Sequence, residues 1–261
     1  MKKVTYSAPS VKKAFKILQA ISDASSGLGV TDLSKRLRIG KSTVHGITAA
    51  LEELGVLVRD SVHKKYSVGY TLLELGRRAY AKMELKDVAR KPMEDLMERV
   101  GETVFLGVLN GDHVTILDVV ESRNEMKITS PPGTRLPLLV GATGRVLLAQ
   151  LEKEAAKEIV RKMGLVRYTS KSVIDPKQFL KEVGKAKEDG YAIDDEEYIP
   201  GARAIAAAVP SPSFPPAAIW VVGFTSTIDD QKIETVISEI RKTAREVREA
   251  FGKVINGGIS V

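Results

Sequence analysis

Two short stretches of this 261-residue chain put groups suited to anions at the start of a helix-forming run. The first is Lys41-Ser42-Thr43-Val44-His45-Gly46. Lys41 can neutralise a phosphate, while the hydroxyls of Ser42 and Thr43 and the first helical N–H groups can bond its oxygens. His45 then falls where a base edge can be read, and the small Gly46 and Ala49 let the backbone come close. Plainer readings stay open. Thr43 can pack or bond back to its own helix. Gly46 can be merely tolerated, although glycine costs about 1 kcal/mol inside a helix. No second metal-binding side chain stands at helical spacing from His45. A further basic group, His63-Lys64-Lys65, falls in a turn, where it meets either nucleic-acid backbone and minor groove or only solvent.

The second stretch is Gly141-Ala142-Thr143-Gly144. It lacks the Gly-Lys-Ser/Thr ending of a phosphate loop. It precedes a helix, however, so its N–H groups favour an anion such as the carboxylate of a small metabolite. Asp194-Asp195-Glu196-Glu197 is either a metal-attracting cluster or, more simply, a solvated acidic turn. No catalytic set stands out: the chain has three histidines, no HExxH and no placeable Ser-His-Asp arrangement. No enzyme activity, cofactor or metal is expected.

Composition fits that reading. Apolar residues make up 43% and charged residues 28%, as in ordinary globular proteins, and the length suits two domains. The chain has no cysteine, which excludes disulfides and Cys-based zinc sites and fits a cytoplasmic location. No apolar run reaches the ~18 residues of a membrane span, and the N-terminal residues lack a signal-peptide core. Net charge is +7, unevenly placed. Residues 1–80 hold 14 Lys and Arg against 6 Asp and Glu, a balance of +8, whereas residues 81–261 hold 26 against 27. A polyanion partner for the first third is the natural inference, with a basic solubilising surface as the alternative.

The elements that must position these groups read as follows. Val11, Ala14, Phe15, Leu18 and Ile21 recur at helical spacing after a Ser10 cap. Thr31 caps a short helix, and Gly40 supplies the unusual backbone of the turn after it. A third helix turns Val44, Ile47, Leu51 and Leu54 inward and ends at Gly55. Residues 56–59 and 65–68 form two strands around a wing at 60–64. These are the parts of a winged helix-turn-helix whose third helix enters the major groove. A helix carrying Leu72, Leu75 and Ala79 follows, and its stripe suits either dimer packing or its own monomer. Beyond it come a helix near 86–100 and two strands joined at Asn110-Gly111, a hairpin signal. A short strand falls at 126–129, helices near 143–152, 153–162 and 176–189, and strands at 191–194, 202–209 and 217–224. The last helix spans 229–251. Antiparallel strands with helices on one side make an α+β domain.

Several fragments in order resemble one family. They include Ser10-Val11-Lys12-Lys13-Ala14-Phe15, Ile39-Gly40-Lys41-Ser42-Thr43-Val44-His45, Leu72-Leu73-Glu74-Leu75-Gly76, Gly144-Arg145-Val146-Leu147-Leu148-Ala149 and Gly190-Tyr191-Ala192-Ile193-Asp194-Asp195. In these the chain resembles the IclR family of transcription regulators over nearly its whole length. The resemblance implies a homo-oligomer, dimer or tetramer, that binds operator DNA and carries a GAF-like effector-binding domain. The expected layout is a DNA-binding domain at 1–70, a linker helix at 71–85 and an effector domain at 86–261. Where the family commonly has Arg after the histidine this chain has Gly46, so its operator cannot be borrowed from relatives.

Carried over by position, the family's effector-contacting places fall on Ala142, Thr143, Asp195, Ala204, Trp220 and Val222. Relatives that bind small keto acids have serine at the last two. An effector more apolar or aromatic than glyoxylate or pyruvate is therefore expected, with Trp220 either walling the pocket or filling it. Asp195 either accepts a ligand hydroxyl or caps a turn. The function implied is effector-responsive regulation, with repression as the default. Constitutive DNA binding with a purely oligomerising C-terminal domain, or an enzyme with a basic domain, are the alternatives.

Overall fold

A computed structural model describes residues 8–81, 84–209 and 215–257. The chain divides into two compact units, Met1–Met83 and Glu84–Val261. Residues 82 and 83, within the linker helix expected at 71–85, lie outside the described residues.

In the first unit, α1 (Pro9–Ser22), α2 (Val30–Leu37) and α3 (Lys41–Glu53) precede β1 (Leu57–Arg59), β2 (Tyr66–Val68) and α4 (Tyr70–Ala81). The two strands pair antiparallel. Leu28 in the α1–α2 loop exchanges backbone bonds with Tyr66 at 3.2 and 2.9 Å, tying the helices to the wing. Ile17, Ile21, Leu33, Ile39, Val44, Leu57 and Tyr66 form the core.

Several local expectations need correction. The buried face of α1 carries Ile17, Ala20 and Ile21, while Val11 and Phe15 stay 56% and 62% exposed. The true face is turned by roughly one residue, ~100°, from the stripe read in the sequence. The N-cap is Ala8, with Pro9 at the first helical position and Ser10 inside the first turn. For α2 the N-cap is Gly29, whose N–H donates to the Asp32 carboxylate at 3.1 Å, rather than Thr31. The left-handed residue of the turn is Arg38 (φ 54°), not Gly40 (φ −55°). Ser34 Oγ braces that turn by donating to the Ile39 carbonyl at 2.7 Å. Leu54, which follows the last residue of α3, is 65% exposed, and within the helix Thr48 is buried in its stead. Thr48 satisfies its hydroxyl by donating to the His45 carbonyl at 3.1 Å, so a polar residue fills a core position.

The second unit is built on a six-stranded antiparallel sheet of order β5-β4-β3-β8-β7-β6. Its elements are α5 (Glu84–Val100), β3 (Thr103–Asn110), β4 (His113–Val120), β5 (Arg135–Pro137), α6 (Gly141–Leu148), α7 (Lys153–Met163), α8 (Pro176–Asp189), β6 (Tyr191–Asp195), β7 (Ala202–Val209), β8 (Ala217–Phe224) and α9 (Asp230–Gly257). Helices cover both faces of the sheet, not one. The long helices α5 and α9 pack together over β3, β4, β7 and β8, and α6 packs with α8 against the opposite face. That is why β3 is buried at six consecutive positions instead of alternating. No strand forms at 126–129. The edge instead pairs β5 with β4, at Leu136 opposite Val114, after the proline pair has ended the preceding segment. Among the described residues no helix is long and apolar enough to cross a membrane.

Replacing the fully buried Leu33 by Ala should cost the first unit about 2–5 kcal/mol, whereas Leu54→Ala should change it by about 0.5 kcal/mol or less. Urea titration read by amide exchange within residues 8–81 distinguishes the two, and equal losses would contradict the inward face assigned to α3.

Candidate functional site

The outer face of α3 is open. Lys41, Ser42, His45, Gly46 and Ala49 are exposed, Thr43 is half-buried, and Val44 and Thr48 anchor the inner face. No side chain caps the N-terminus of α3, and no acidic residue stands in its first turn. Its first N–H groups and positive dipole end are thus available to an anion. A Cβ at Gly46 would have nothing within 4 Å, so nothing inside the chain requires glycine there. In the wing, the Asp60 carboxylate accepts the N–H groups of Val62 and His63 at 2.7 and 3.0 Å and meets the His63 ring at 2.9 Å. The His63 bond holds the Asp60 carboxyl down at about 2. Lys64 adopts φ 55° at the tip of this brace and is exposed, while Lys65 is half-buried beside it. Asp60 therefore engages one ring nitrogen of His63, a constraint invisible in a count of basic residues.

In the second unit a cavity of about 270 Å³ opens between α6, the sheet and the loop after β6. Five of the six expected effector residues line it: Ala142, Thr143, Ala204, Trp220 and Val222. The sixth does not. Side chains alternate along β6, so Asp194 faces the cavity and Asp195 faces away. Asp195 instead accepts from Arg203 Nε at 2.6 Å and from Lys171 at 3.2 Å. The same alternation could have been read from the expected strand, where Ala192 and Asp194 share a face.

Trp220 walls the cavity rather than filling it. It is 3% exposed and stacks on Phe105, with centroids 5.4 Å apart and planes 12° from parallel. Gly107 makes room for it: a Cβ there would lie 2.8 Å from the indole and 2.9 Å from the Thr115 carbonyl oxygen. A bulge between Leu106 and Gly107 shifts the β3–β4 register at the same place.

The polar side of the cavity is held from behind. The Asp194 carboxyl lies against Gly141, where φ is 60° and where any Cβ would strike it. A carboxylate of the protein thus already occupies part of the positive start of α6. Asp194 also accepts the Glu197 N–H at 2.7 Å. Burial, opposed by that bond, pushes its carboxyl up from 3.8 to about 6, with the Glu197 charge raising it further and Arg145 lowering it. Arg145 is itself buried. It donates to both Glu197 oxygens at 2.7 and 2.6 Å and to the Ile193 carbonyl at 3.1 Å, pairs with Glu182 at 2.5 Å, and lies over the Phe179 ring. Its Nε finds no partner. Glu196 turns to Lys171 at 2.6 Å and shares it with Asp195, while Asp194 and Glu197 turn elsewhere. Among the described residues no three His, Asp or Glu side chains are grouped to hold a metal. The sequence reading missed Asp194, Arg203 and Arg145. Arg203 and the exposed Arg135 both line the cavity, and Arg203 is fixed by Asp195 and by Asp230 at 2.9 Å.

The raised Asp194 carboxyl has a stability consequence. Between its ordinary 3.8 and about 6 the native state holds a proton that the unfolded chain releases. The cost of burying the charge is therefore absent below that window and complete above it. Asp194→Asn keeps an acceptor for the Glu197 N–H and removes the charge. Relative to the native sequence it should gain stability from pH 4 to pH 7, by on the order of 2–3 kcal/mol. Urea midpoints of the second unit at both pH values check this, and a variant that loses ground as pH rises would refute it.

Comparison with known proteins agrees with this geometry. The IclR helix-turn-helix domain model matches residues 10–61, and the model of the C-terminal domain of bacterial IclR transcriptional regulators matches residues 77–249. The chain is 34% identical over 244 residues to the HTH-type transcriptional regulator BhcR of Paracoccus denitrificans (strain Pd 1222), covering 93% of this chain and 86% of that protein. Its fold matches the crystal structure of an IclR regulator from Alicyclobacillus acidocaldarius with a TM-score of 0.80, at 24% identity over 94% of this chain and 99% of that one. It also matches an IclR homolog from Microbacterium hydrocarbonoxydans, crystallised with 4-hydroxybenzoate, with a TM-score of 0.75 at 23% identity over 92% and 98% of the two chains. The uncapped α3, the braced wing and the two matched domains lead to one conclusion: the chain belongs to the IclR family of DNA-binding transcription regulators.

Proposed function

We propose that this regulator acts as a cytoplasmic, effector-responsive repressor without enzyme activity, docking α3 of each protomer of a homodimer or tetramer into operator DNA. The observation that carries the reading is the bare N-terminus of α3. Lys41, Ser42 and Thr43 would anchor phosphates there, with His45 reading a base edge and Gly46 allowing close approach. His63, Lys64 and Lys65 would follow the backbone beside it. Paired reading helices would meet half-sites about 34 Å apart or a multiple of that distance. In this scheme residues 1–70 bind DNA, 71–85 link, and 86–261 sense.

The effector is a small organic acid, more apolar or aromatic than glyoxylate or pyruvate. Support comes from the cavity walls. Trp220, Val222, Ala142 and Ala204 offer apolar surface, while Arg203 and Arg135 offer cations for a carboxylate and Asp194 an acceptor for a hydroxyl. A fold relative crystallised with 4-hydroxybenzoate has an acid of this kind. The open cavity also favours effector sensing over constitutive DNA binding, which would need no such space. Ligand preference for one of two conformations, typically ~1–3 kcal/mol, would change operator affinity by roughly 5–150-fold.

Two experiments test these halves separately. In gel shifts across a salt series, Lys41→Ala should weaken all duplexes alike and lower the salt slope by about 1, whereas His45→Ala should relax sequence preference. An unchanged slope for the first variant would remove α3 from the phosphate backbone. In titration calorimetry, 4-hydroxybenzoate should bind more tightly than pyruvate or glyoxylate, and Val222→Ser should narrow the difference. Tighter binding of glyoxylate by the native protein would overturn the effector class.

A further inference from the structure

A second recess lies apart from the effector cavity and shares none of its residues. It has a volume of about 390 Å³ and lies between the ends of α6 and α8, strand β7 and the middle of α9. Small side chains make its floor, among them Ala149, Ala186, Ala208 and Ala244. Its rim is cationic: Lys187 from α8 and Arg241, Arg245 and Arg248 from α9 line it, and no acidic residue does.

Packing does not account for this rim. Elsewhere in the unit Arg90, Arg99, Arg123, Arg145, Arg161 and Arg203 each meet a carboxylate, while Arg135 and Arg167 stand singly without an ion pair among the described residues. Among the described residues Lys187, Arg241, Arg245 and Arg248 form no ion pair; Arg241 lies over the Tyr191 ring at 5.9 Å. Lys187 stands in the last turn of α8, where the helix dipole favours a cation. That explanation stops there, because the three arginines sit at mid-length in a helix running from Asp230 to Gly257. Their spacing of i, i+4 and i+7 stacks like charges on one face, which opposes folding unless something offsets it. Overall the second unit has no cationic excess, so the four charges gathered here are not a general basic coat.

We propose that this groove binds a small anion carrying two or more linked phosphate groups. Guanidinium forks match phosphate oxygens in pairs, a fit that a lysine-rich surface lacks. The three arginines span seven residues of helix, about 10 Å, which is longer than a single phosphate and suits a chain of them. The alanine floor supplies the room. Such a ligand would join the C-terminal ends of α6 and α8 to α9, and α6 is the helix whose N-terminus borders the effector cavity.

The test is titration calorimetry of the full chain with inorganic pyrophosphate and with ADP at about 50 mM salt, on the native sequence and an Arg245→Gln/Arg248→Gln double variant. Both probes should bind saturably with one site per chain, and the double variant should lose roughly tenfold or more in affinity. Without ligand its thermal midpoint should be no lower than that of the native sequence, and its affinity for a mixed-sequence DNA duplex should be unchanged. Absence of saturable binding by either probe would overturn the proposal, as would undiminished binding by the double variant. A variant that instead loses duplex affinity together with salt dependence would assign the groove to nucleic acid and likewise overturn it.

Discussion

One buried guanidinium holds the sensing unit together. Arg145 is withdrawn from water, and the chain surrounds it with Glu197, Glu182, the Ile193 carbonyl and the Phe179 ring. These partners come from β6, from the turn after it and from α8, so one side chain of α6 fixes three segments at once. An ion pair of this kind is not stability for free. Desolvation offsets much of the attraction, yet removing one partner leaves a buried charge and costs about 3–5 kcal/mol. The local count is also uneven. One cation faces Glu182, Glu197 and, one step further, Asp194. Asp194 is the carboxyl displaced upward, chiefly by its burial and further by the Glu197 charge.

The cavity beside α6 inherits its form from that arrangement. Asp194 is pinned between Gly141 and the Glu197 N–H, so the polar wall is set by the protein before any ligand arrives. The opposite wall is set by Trp220, seated over Gly107 where the β3–β4 register slips. Polar and aromatic walls are thus each fixed by a close approach that only glycine allows.

How much of this was legible in the sequence depended on the range of the forces involved. The hairpin at Asn110-Gly111, the α8 helix from Pro176 to Asp189 and strands β7 and β8 were read closely, since local turn chemistry and long apolar runs decide them. The inner face of α1 was not, because Val11 and Phe15 fit a helical stripe as well as Ile17 and Ala20 do, and only tertiary contact selects between them. The turn at Arg38 escaped because glycine was the expected holder of positive φ. At the site, five of the six residues carried over from the family lie on the cavity wall, while Asp195 lies one position from it, where strand alternation decides. Arg145 was quoted within a motif but not as a buried ion, since its partners lie 37 and 52 positions away in the chain. Helices on both sheet faces were likewise a matter of long-range packing.

The seat of Trp220 has a practical consequence. It is the sole tryptophan of the chain, stacked on Phe105, shielded from bulk water and bordering the cavity beside α6. Its ultraviolet emission therefore reports on one place only. A molecule entering beside the indole changes the polarity and quenching around that single fluorophore, so the protein carries its own optical gauge of occupancy without any attached dye.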